Sequence, residues 1–173
     1  MNLIITCARY FELETSQELQ GILENLGDLK PIITITDMSG ILTVKTKIDS
    51  IEVVRKIKEM VLEEPWCIRY SLRIIPIQKI IETNMDSIEN GISEIINLLS
   101  NEETYRISIE KRNSNISTQE LITKIAKKIK NKVSLDFPDK IILIEILGKN
   151  TGISIIKNTD ILSIEKIKRG ISE

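Results

Sequence analysis

The sequence predicts an α+β protein (α/β mixed) built from two small domains, residues 1–82 and residues 83–173. Segments with strand-like and helix-like spacing follow one another along the whole chain, and its 173 residues suffice for one large or two small domains. Apolar residues make up 42% of the chain and aromatic residues only 3%. The core therefore depends on isoleucine, whose β-branched side chain favours strands.

Six segments of residues 1–82 predict the first domain. Strands are expected at residues 3–7, 32–36, 41–44 and 67–74. Apolar residues recur at helical spacing in residues 19–26 and 51–61, and Asp49 with Glu52 forms a capping box before the second of these helices. In residues 67–74 the even positions are apolar and the odd ones mostly polar, which predicts a strand with one solvent face. The resulting order, β-α-β-β-α-β, is the ferredoxin-like arrangement.

The second domain is predicted to begin with a helix over residues 84–100 and a strand from Tyr105. Ser117 caps a further helix that is expected to continue to about Asn131. The nearly all-apolar run Ile141–Leu147 predicts a central strand that is buried on both faces, and Ile153–Ile156 predicts another strand. The tail, residues 160–173, fits either a helix or a last strand with a frayed end.

The residues that catalysis and metal binding usually require are few in this sequence. There is no histidine, so the usual acid/base group at neutral pH is missing. Cys7 and Cys67 lie too far apart for a metal or redox motif and are expected to be buried and inert. No glycine-rich nucleotide loop occurs, and Gly148–Gly152 is typical of a hairpin turn. We therefore expect a protein that is not an enzyme and has no cofactor and no metal.

Charge is distributed unevenly along the sequence. Residues 1–100 contain 10 basic and 15 acidic residues, and residues 101–173 contain 14 basic and 10 acidic ones, for net charges of −5 and +4. Such asymmetry indicates that one half faces a polyanion. Because no apolar run approaches the ~20 residues of a membrane span and the N-terminus lacks a basic signal-like start, we expect a cytoplasmic protein without a membrane partner.

Two clusters of basic residues are candidates for RNA binding. Lys111, Arg112 and Asn113 follow a strand, where cations can neutralise phosphates and the amide can bind a base edge or a 2′-hydroxyl. For such a short charge run taken alone, an ordinary solvated turn is the simpler explanation. Lys124, Lys127 and Lys128 lie on the polar face of the capped helix, where they could instead serve the helix dipole.

Few other residues are expected to add to this surface. Arg69, Arg73 and Lys79 could extend it from the first domain. Arg69 and Arg73 are expected to share a strand face, although paired exposed arginines on an antiparallel sheet are commonplace. Tyr105 is expected in the core and Trp66 between elements. With so few aromatic residues, stacking on bases is not expected to dominate, and recognition should depend on the shape and backbone of a structured RNA.

An ordered set of motifs runs from Tyr105 to Ser154: a strand followed by Arg112-Asn113, a lysine-rich helix, the segment Val133–Asp139, and a strand ending in Gly148 before Gly152-Ile153-Ser154. This set resembles the THUMP domain, an RNA-binding module of tRNA-modifying enzymes and their helper proteins. The start of the chain is also similar to THUMP proteins, in which a ferredoxin-like domain precedes THUMP; the matching segments are Cys7–Glu12, Glu18-Leu19, Leu26-Gly27 and Arg73–Ile77.

The resemblance implies a function in tRNA modification. THUMP enzymes carry a fused methyltransferase, deaminase or thiolation domain, whose signatures this sequence lacks. The chain therefore resembles stand-alone THUMP adapters that assist a tRNA cytidine N4-acetyltransferase. By this resemblance, the THUMP half holds the acceptor stem and 3′ CCA end of tRNA, Lys149 lies near the RNA, and the composition suits an archaeal source. The alternative is a protein-interaction scaffold that does not bind RNA.

Overall fold

The computed structural model describes residues 1–172 and divides into two compact units. The first unit comprises residues 1–77 together with 159–172, and the second comprises residues 78–158. These limits differ from the expected domains, residues 1–82 and 83–173, chiefly at the tail. The chain returns to the first unit because Arg73 and Ile74 pair with Ser163 and Leu162.

Nine strands and five helices make up the described chain. In chain order the strands are β1 (Leu3–Cys7), β2 (Ile32–Ile35), β3 (Ile41–Lys45), β4 (Ser71–Pro76), β5 (Lys79–Glu82), β6 (Tyr105–Arg112), β7 (Lys140–Leu147), β8 (Asn150–Ile156) and β9 (Leu162–Ser163). The helices are α1 (Glu12–Asn25), α2 (Ser50–Glu63), α3 (Met85–Ile95), α4 (Thr118–Ala126) and α5 (Ile164–Ser172). The predicted α+β class is confirmed.

The first unit is a five-stranded sheet in the order β2-β3-β1-β4-β9. Its first six elements follow the predicted β-α-β-β-α-β order. Asp49 caps α2 as expected, because its carboxylate accepts hydrogen bonds from the backbone N–H groups of Ile51 and Glu52. Fully buried residues from β1, α1 and α2, among them Ile5, Leu23 and Val61, form the core.

The predicted strand over residues 67–74 is wrong in its first half. Pro65–Cys67 form a short 3-10 turn, and β4 begins only at Ser71. Thr6 pairs with Arg73 while Cys7 pairs with Ser71, so the register shifts at this point of the ladder. Leu72 therefore has no opposite residue on β1 and is 45% exposed, whereas Ser71 is buried. The expected alternation of buried and exposed residues fails here, because the bulge exposes Leu72 and buries Ser71.

The second unit is a four-stranded sheet in the order β5-β8-β7-β6, with β6 and β7 parallel. Residues 141–147 of β7 are all buried, which confirms the predicted central strand. Gly91 lets α3 approach the sheet closely, because a Cβ added there would lie 2.9 Å from Ile153 Cδ1 and 3.0 Å from Ile81 Cδ1.

Helix α4 is shorter than predicted, since it ends at Ala126 instead of about Asn131. After the cap, the N–H groups of Lys128 and Ile129 bond three residues back instead of four, which tightens the last turn. The side-chain amide of Asn131 then donates to the carbonyl oxygens of Ser100 (2.7 Å) and Glu103 (2.8 Å), and these bonds hold the chain away from the helical path.

The tail combines the two structures that the sequence left open, a two-residue strand, β9, followed by helix α5. None of the helices within residues 1–172 has both the length and the apolar character that crossing a bilayer requires.

Candidate nucleic-acid interface

One edge of the second unit's sheet brings together the ends of several elements. The C-terminal residue of β6, Arg112, pairs with Leu147 at the end of β7, and Leu147 pairs with Asn150 at the start of β8. Gly148 and Lys149 form the tight turn between β7 and β8, with Gly148 at a φ of +60°. The Gly148 N–H donates to the Arg112 carbonyl oxygen at 2.9 Å, which holds this turn beside the end of β6. We call residues 83–84, 111–113 and 148–149 the strand-end surface.

Two helices begin at the strand-end surface. Helix α3 is capped by Asn84, and the neighbouring Thr83 donates its N–H to the Lys149 carbonyl oxygen at 2.9 Å. Helix α4 is capped by Ser117, and the ammonium of Lys111 donates to the Ile116 carbonyl oxygen at 2.9 Å, which keeps the connecting loop close to β6. A helix N-terminus carries partial positive charge and unpaired N–H groups. The surface therefore combines two such ends with cationic side chains.

Arg112 is more enclosed than the sequence suggested. Its Nη1 lies 3.0 Å from Oε2 of Glu145, a residue of β7 whose side chain is 0% exposed, while Arg112 itself is 25% exposed. The guanidinium thus neutralises a buried carboxylate and stiffens the end of β6. Its remaining N–H groups are the part that could reach a phosphate. Glu145, the one acidic residue in the apolar run Ile141–Leu147, is the sequence signal that could have indicated this pair.

The lysines on and just after α4 do not act as one group. Lys124 contacts Asp86 at 2.7 Å and Glu89 at 3.0 Å on α3, and Lys128 also pairs with Glu89. Hydrogen bonds from Lys128, the larger cause, and from Lys124 lower the pKa of Glu89. The pKa of Lys124 is raised, chiefly by its hydrogen bond to Asp86. These two lysines join α4 to α3. Lys127 has no ion pair among the described residues and is exposed beside Gln119, Glu120 and Thr123.

The other predicted site residues are divided between the units. Asn113 is exposed at the end of β6 with a φ of 54°, and Lys149 is exposed in its turn without an ion pair among residues 1–172. Arg73 belongs to the first unit, where it pairs with Thr6 and Ser163 within the sheet. Arg69 lies before β4, so the two arginines do not share a strand face as predicted.

The two units differ less in net charge than the two halves of the sequence do. Residues 78–158 contain 12 basic and 11 acidic residues, a net charge of +1 in place of the +4 counted for residues 101–173. The acidic helix α3 lies in this unit, and the basic residues of α5 lie in the first. Net charge alone therefore gives this unit little attraction for a polyanion. Within residues 1–172 no three Cys, Asp or Glu side chains are grouped so that they could hold a metal ion.

A small α/β unit with a cationic turn and two helix N-termini at one sheet edge belongs to the class of domains suited to polyanion binding. Residues 82–156 match the model of the THUMP domain, so the second unit contains a THUMP domain. This match includes every element of the strand-end surface.

Solved structures resemble both units. PH1313 of Pyrococcus horikoshii Ot3 superposes with a TM-score of 0.64 at 16% identity, over 91% of this chain and 55% of that one. TrmN of Thermus thermophilus gives a TM-score of 0.56 at 8% identity, over 90% of this chain and 45% of that one. A possible methylase from Clostridium difficile 630 gives a TM-score of 0.51 at 16% identity, over 90% of this chain and 41% of that one. At these identities the likeness shows the fold alone, and the chain spans about half the length of these proteins. No curated protein sequence matches the chain.

Proposed function

We propose that this chain binds tRNA through its THUMP domain and serves as a non-catalytic adapter for a separate tRNA-modifying enzyme. The observation that carries the proposal is the THUMP match over residues 82–156, which coincides with the unit that forms the strand-end surface. The resemblance of the sequence to stand-alone THUMP adapters supports the acceptor stem and 3′ CCA end as the part of tRNA that is bound. It supports a cytidine N4-acetyltransferase as the enzyme that is assisted.

The strand-end surface supplies the contacts that a tRNA backbone requires. Lys149 and Lys111 present ammonium groups, Arg112 presents the N–H groups that Glu145 leaves unused, and Asn113 can bind a sugar hydroxyl. Because these residues sit on strand ends and a two-residue turn, their backbone positions are set before RNA arrives. An adapter of this kind lowers the enzyme's KM by adding binding energy and fixing the geometry of the complex.

A filter-binding titration with tRNA, an acceptor-stem mini-helix and tRNA trimmed of CCA tests the binding step. Lys149→Gln should weaken tRNA binding by roughly threefold to tenfold and lower the salt slope by about one, as expected for one phosphate contact. Lys30→Gln is the matched control, because Lys30 is also exposed and without an ion pair in residues 1–172. Equal affinities of the two variants, or no binding by the wild type, would contradict the proposal.

Nucleoside mass spectrometry tests the adapter step. The chain alone should leave tRNA unmodified when it is given acetyl-CoA, S-adenosylmethionine or ATP, and should increase N4-acetylcytidine formation when the acetyltransferase is added. Turnover by the chain alone would refute the adapter role.

A second candidate function is a protein-interaction module that does not bind RNA. The exposed apolar side chains of the first unit support it, such as Leu13 (61% exposed) and Trp66 (71% exposed). The same titration separates the two functions, because this module should show no affinity for tRNA at either low or high salt.

A further inference from the structure

Four of the six aromatic residues of the chain lie in two segments of the first unit. We call Tyr10, Phe11 and Tyr70 the aromatic patch, and Trp66 lies elsewhere in the same unit. Tyr10 is 91% exposed, Trp66 71% and Phe11 45%. Folded proteins bury most of the surface of such side chains. A chain with only six aromatic residues that exposes three of them in one unit gains no core stability from those three.

Backbone and carboxylate contacts hold the aromatic patch in place. The rings of Phe11 and Tyr70 are stacked, with centroids 5.7 Å apart and planes 24° apart. The carboxylate of Glu18 accepts hydrogen bonds from the backbone N–H groups of residues 69, 70 and 71 at 2.7–3.3 Å and from the Ser71 hydroxyl, so the segment that carries Tyr70 is fixed to α1.

Tyr10 is presented to solvent by a strained backbone. Its φ of 73° lies in the left-handed region that non-glycine residues rarely occupy. The turn around it is closed by the Phe11 N–H, which donates to the Ala8 carbonyl oxygen at 3.2 Å. Strain of this kind is typical of functional positions. The ring is therefore held outward on a short, closed turn.

A cationic groove adjoins the aromatic patch and shares Arg69 with it. The guanidinium carbon of Arg69 lies 5.8 Å from the centroid of the Tyr70 ring. Arg69 also lines a groove of about 470 Å³ with Ser71, Lys168 and Arg169, the last two on α5. Lys168 donates one N–H to the Ile68 carbonyl oxygen and retains two others. Within residues 1–172, Arg169 forms its one ion pair with Glu165 on the same helix. Such an exposed pair is weak and can open for a phosphate.

We propose that the first unit binds a single-stranded RNA segment. Unpaired bases stack on Tyr10 and Phe11 while the groove of Arg69, Lys168 and Arg169 holds the adjoining phosphates. Aromatic platforms beside a cationic groove are how proteins bind single strands without sequence preference. A protein partner would use the aromatic side chains but not the groove that shares Arg69, so the observations favour RNA. The inference rests on the proposed RNA-binding function and adds a site at which stacking dominates, contrary to the expectation from the few aromatic residues.

The experiment titrates the full chain against fluorescein-labelled hexacytidine RNA, which has no helical stem, and follows anisotropy. Tyr10→Gly removes the exposed ring and suits the left-handed φ, so the fold should be kept. We expect about tenfold weaker binding, which is ~1.4 kcal/mol and within the range for one stacked base. Phe137→Ala, which removes an aromatic side chain that is 90% exposed in the second unit, is the matched control and should bind like the wild type.

A second variant tests the groove. Arg69→Gln should weaken hexacytidine binding and lower its salt slope by about one, because one phosphate contact is lost. The proposal is overturned if the wild type does not bind hexacytidine, or if Tyr10→Gly binds it as tightly as Phe137→Ala. If hexacytidine does not bind but tRNA binding still depends on Lys149, only the single-strand site is refuted. Hexacytidine binding that depends on Tyr10, without any tRNA binding, refutes only the proposed function.

Discussion

Replacing Arg112 with alanine should destabilise the THUMP domain, because it removes the counter-ion of a buried carboxylate. Glu145 is 0% exposed and lies on the central strand of its sheet, 3.0 Å from the guanidinium. Removing one member of a buried ion pair costs about 3–5 kcal/mol. Since Arg112 keeps 25% exposure and water reaches the pair from that side, we expect about 2–3 kcal/mol. This is a large share of the ~5–15 kcal/mol that stabilises a typical domain.

Urea unfolding followed by circular dichroism measures this loss, and amide hydrogen exchange of β7 localises it. Lys149→Ala is the control in the same domain, because its side chain is exposed without an ion pair in residues 1–172 and it should change stability by no more than about 0.5 kcal/mol. Adding Glu145→Gln to Arg112→Ala should restore part of the loss, since a neutral amide needs no counter-ion. A value for Arg112→Ala within the range of Lys149→Ala would refute the structural role assigned to this pair.

Two further predictions concern backbone strain and pH. Gly40→Ala should lower stability by about 1–3 kcal/mol, measured by thermal melting, because φ is +74° and the new Cβ would lie 2.6 Å from the Cys7 carbonyl oxygen; an unchanged Tm would contradict this. Lys128 and Lys124 lower the pKa of Glu89, so its contribution to stability is present above the ordinary carboxyl pKa and is lost as pH falls through the lowered value. Glu89→Gln should therefore lower Tm at neutral pH and flatten its decline on acidification, and parallel curves for variant and wild type would argue against this cluster.

Elements encoded by local sequence were predictable. The buried strand Ile141–Leu147 follows from an apolar run alone, and the caps at Asp49 and Ser117 follow from one side chain and the N–H groups just after it. Each of these depends on residues within one turn or one strand. The order of elements from β1 to β4 and from α3 to β8 could therefore be derived without knowing which strands pair, whereas β5 was not predicted.

Features that depend on distant partners could not be predicted in the same way. The exposure of Leu72 follows from a register shift against β1, more than 60 positions earlier in the sequence. The early end of α4 depends on Asn131 reaching the carbonyl groups of residues 100 and 103. The role of Arg112 depends on a carboxylate that comes 33 positions later. In each case local spacing is compatible with two structures, and a contact from elsewhere in the fold selects one.

The distribution of charge between the units also depends on distant contacts, and it bears on RNA binding. Counting the halves of the sequence suggests one strongly basic domain, yet the tail returns three cations to the first unit, and α3 brings acidic residues into the second. Asp86 and Glu89 then engage two of the lysines that looked available. In the two proposed sites an RNA would thus meet a few positioned cations on each unit instead of one basic half. Binding to such a surface should depend on geometry and stacking as much as on net charge, which is why the exposed Tyr10 and the turn at Lys149 are the decisive positions to substitute.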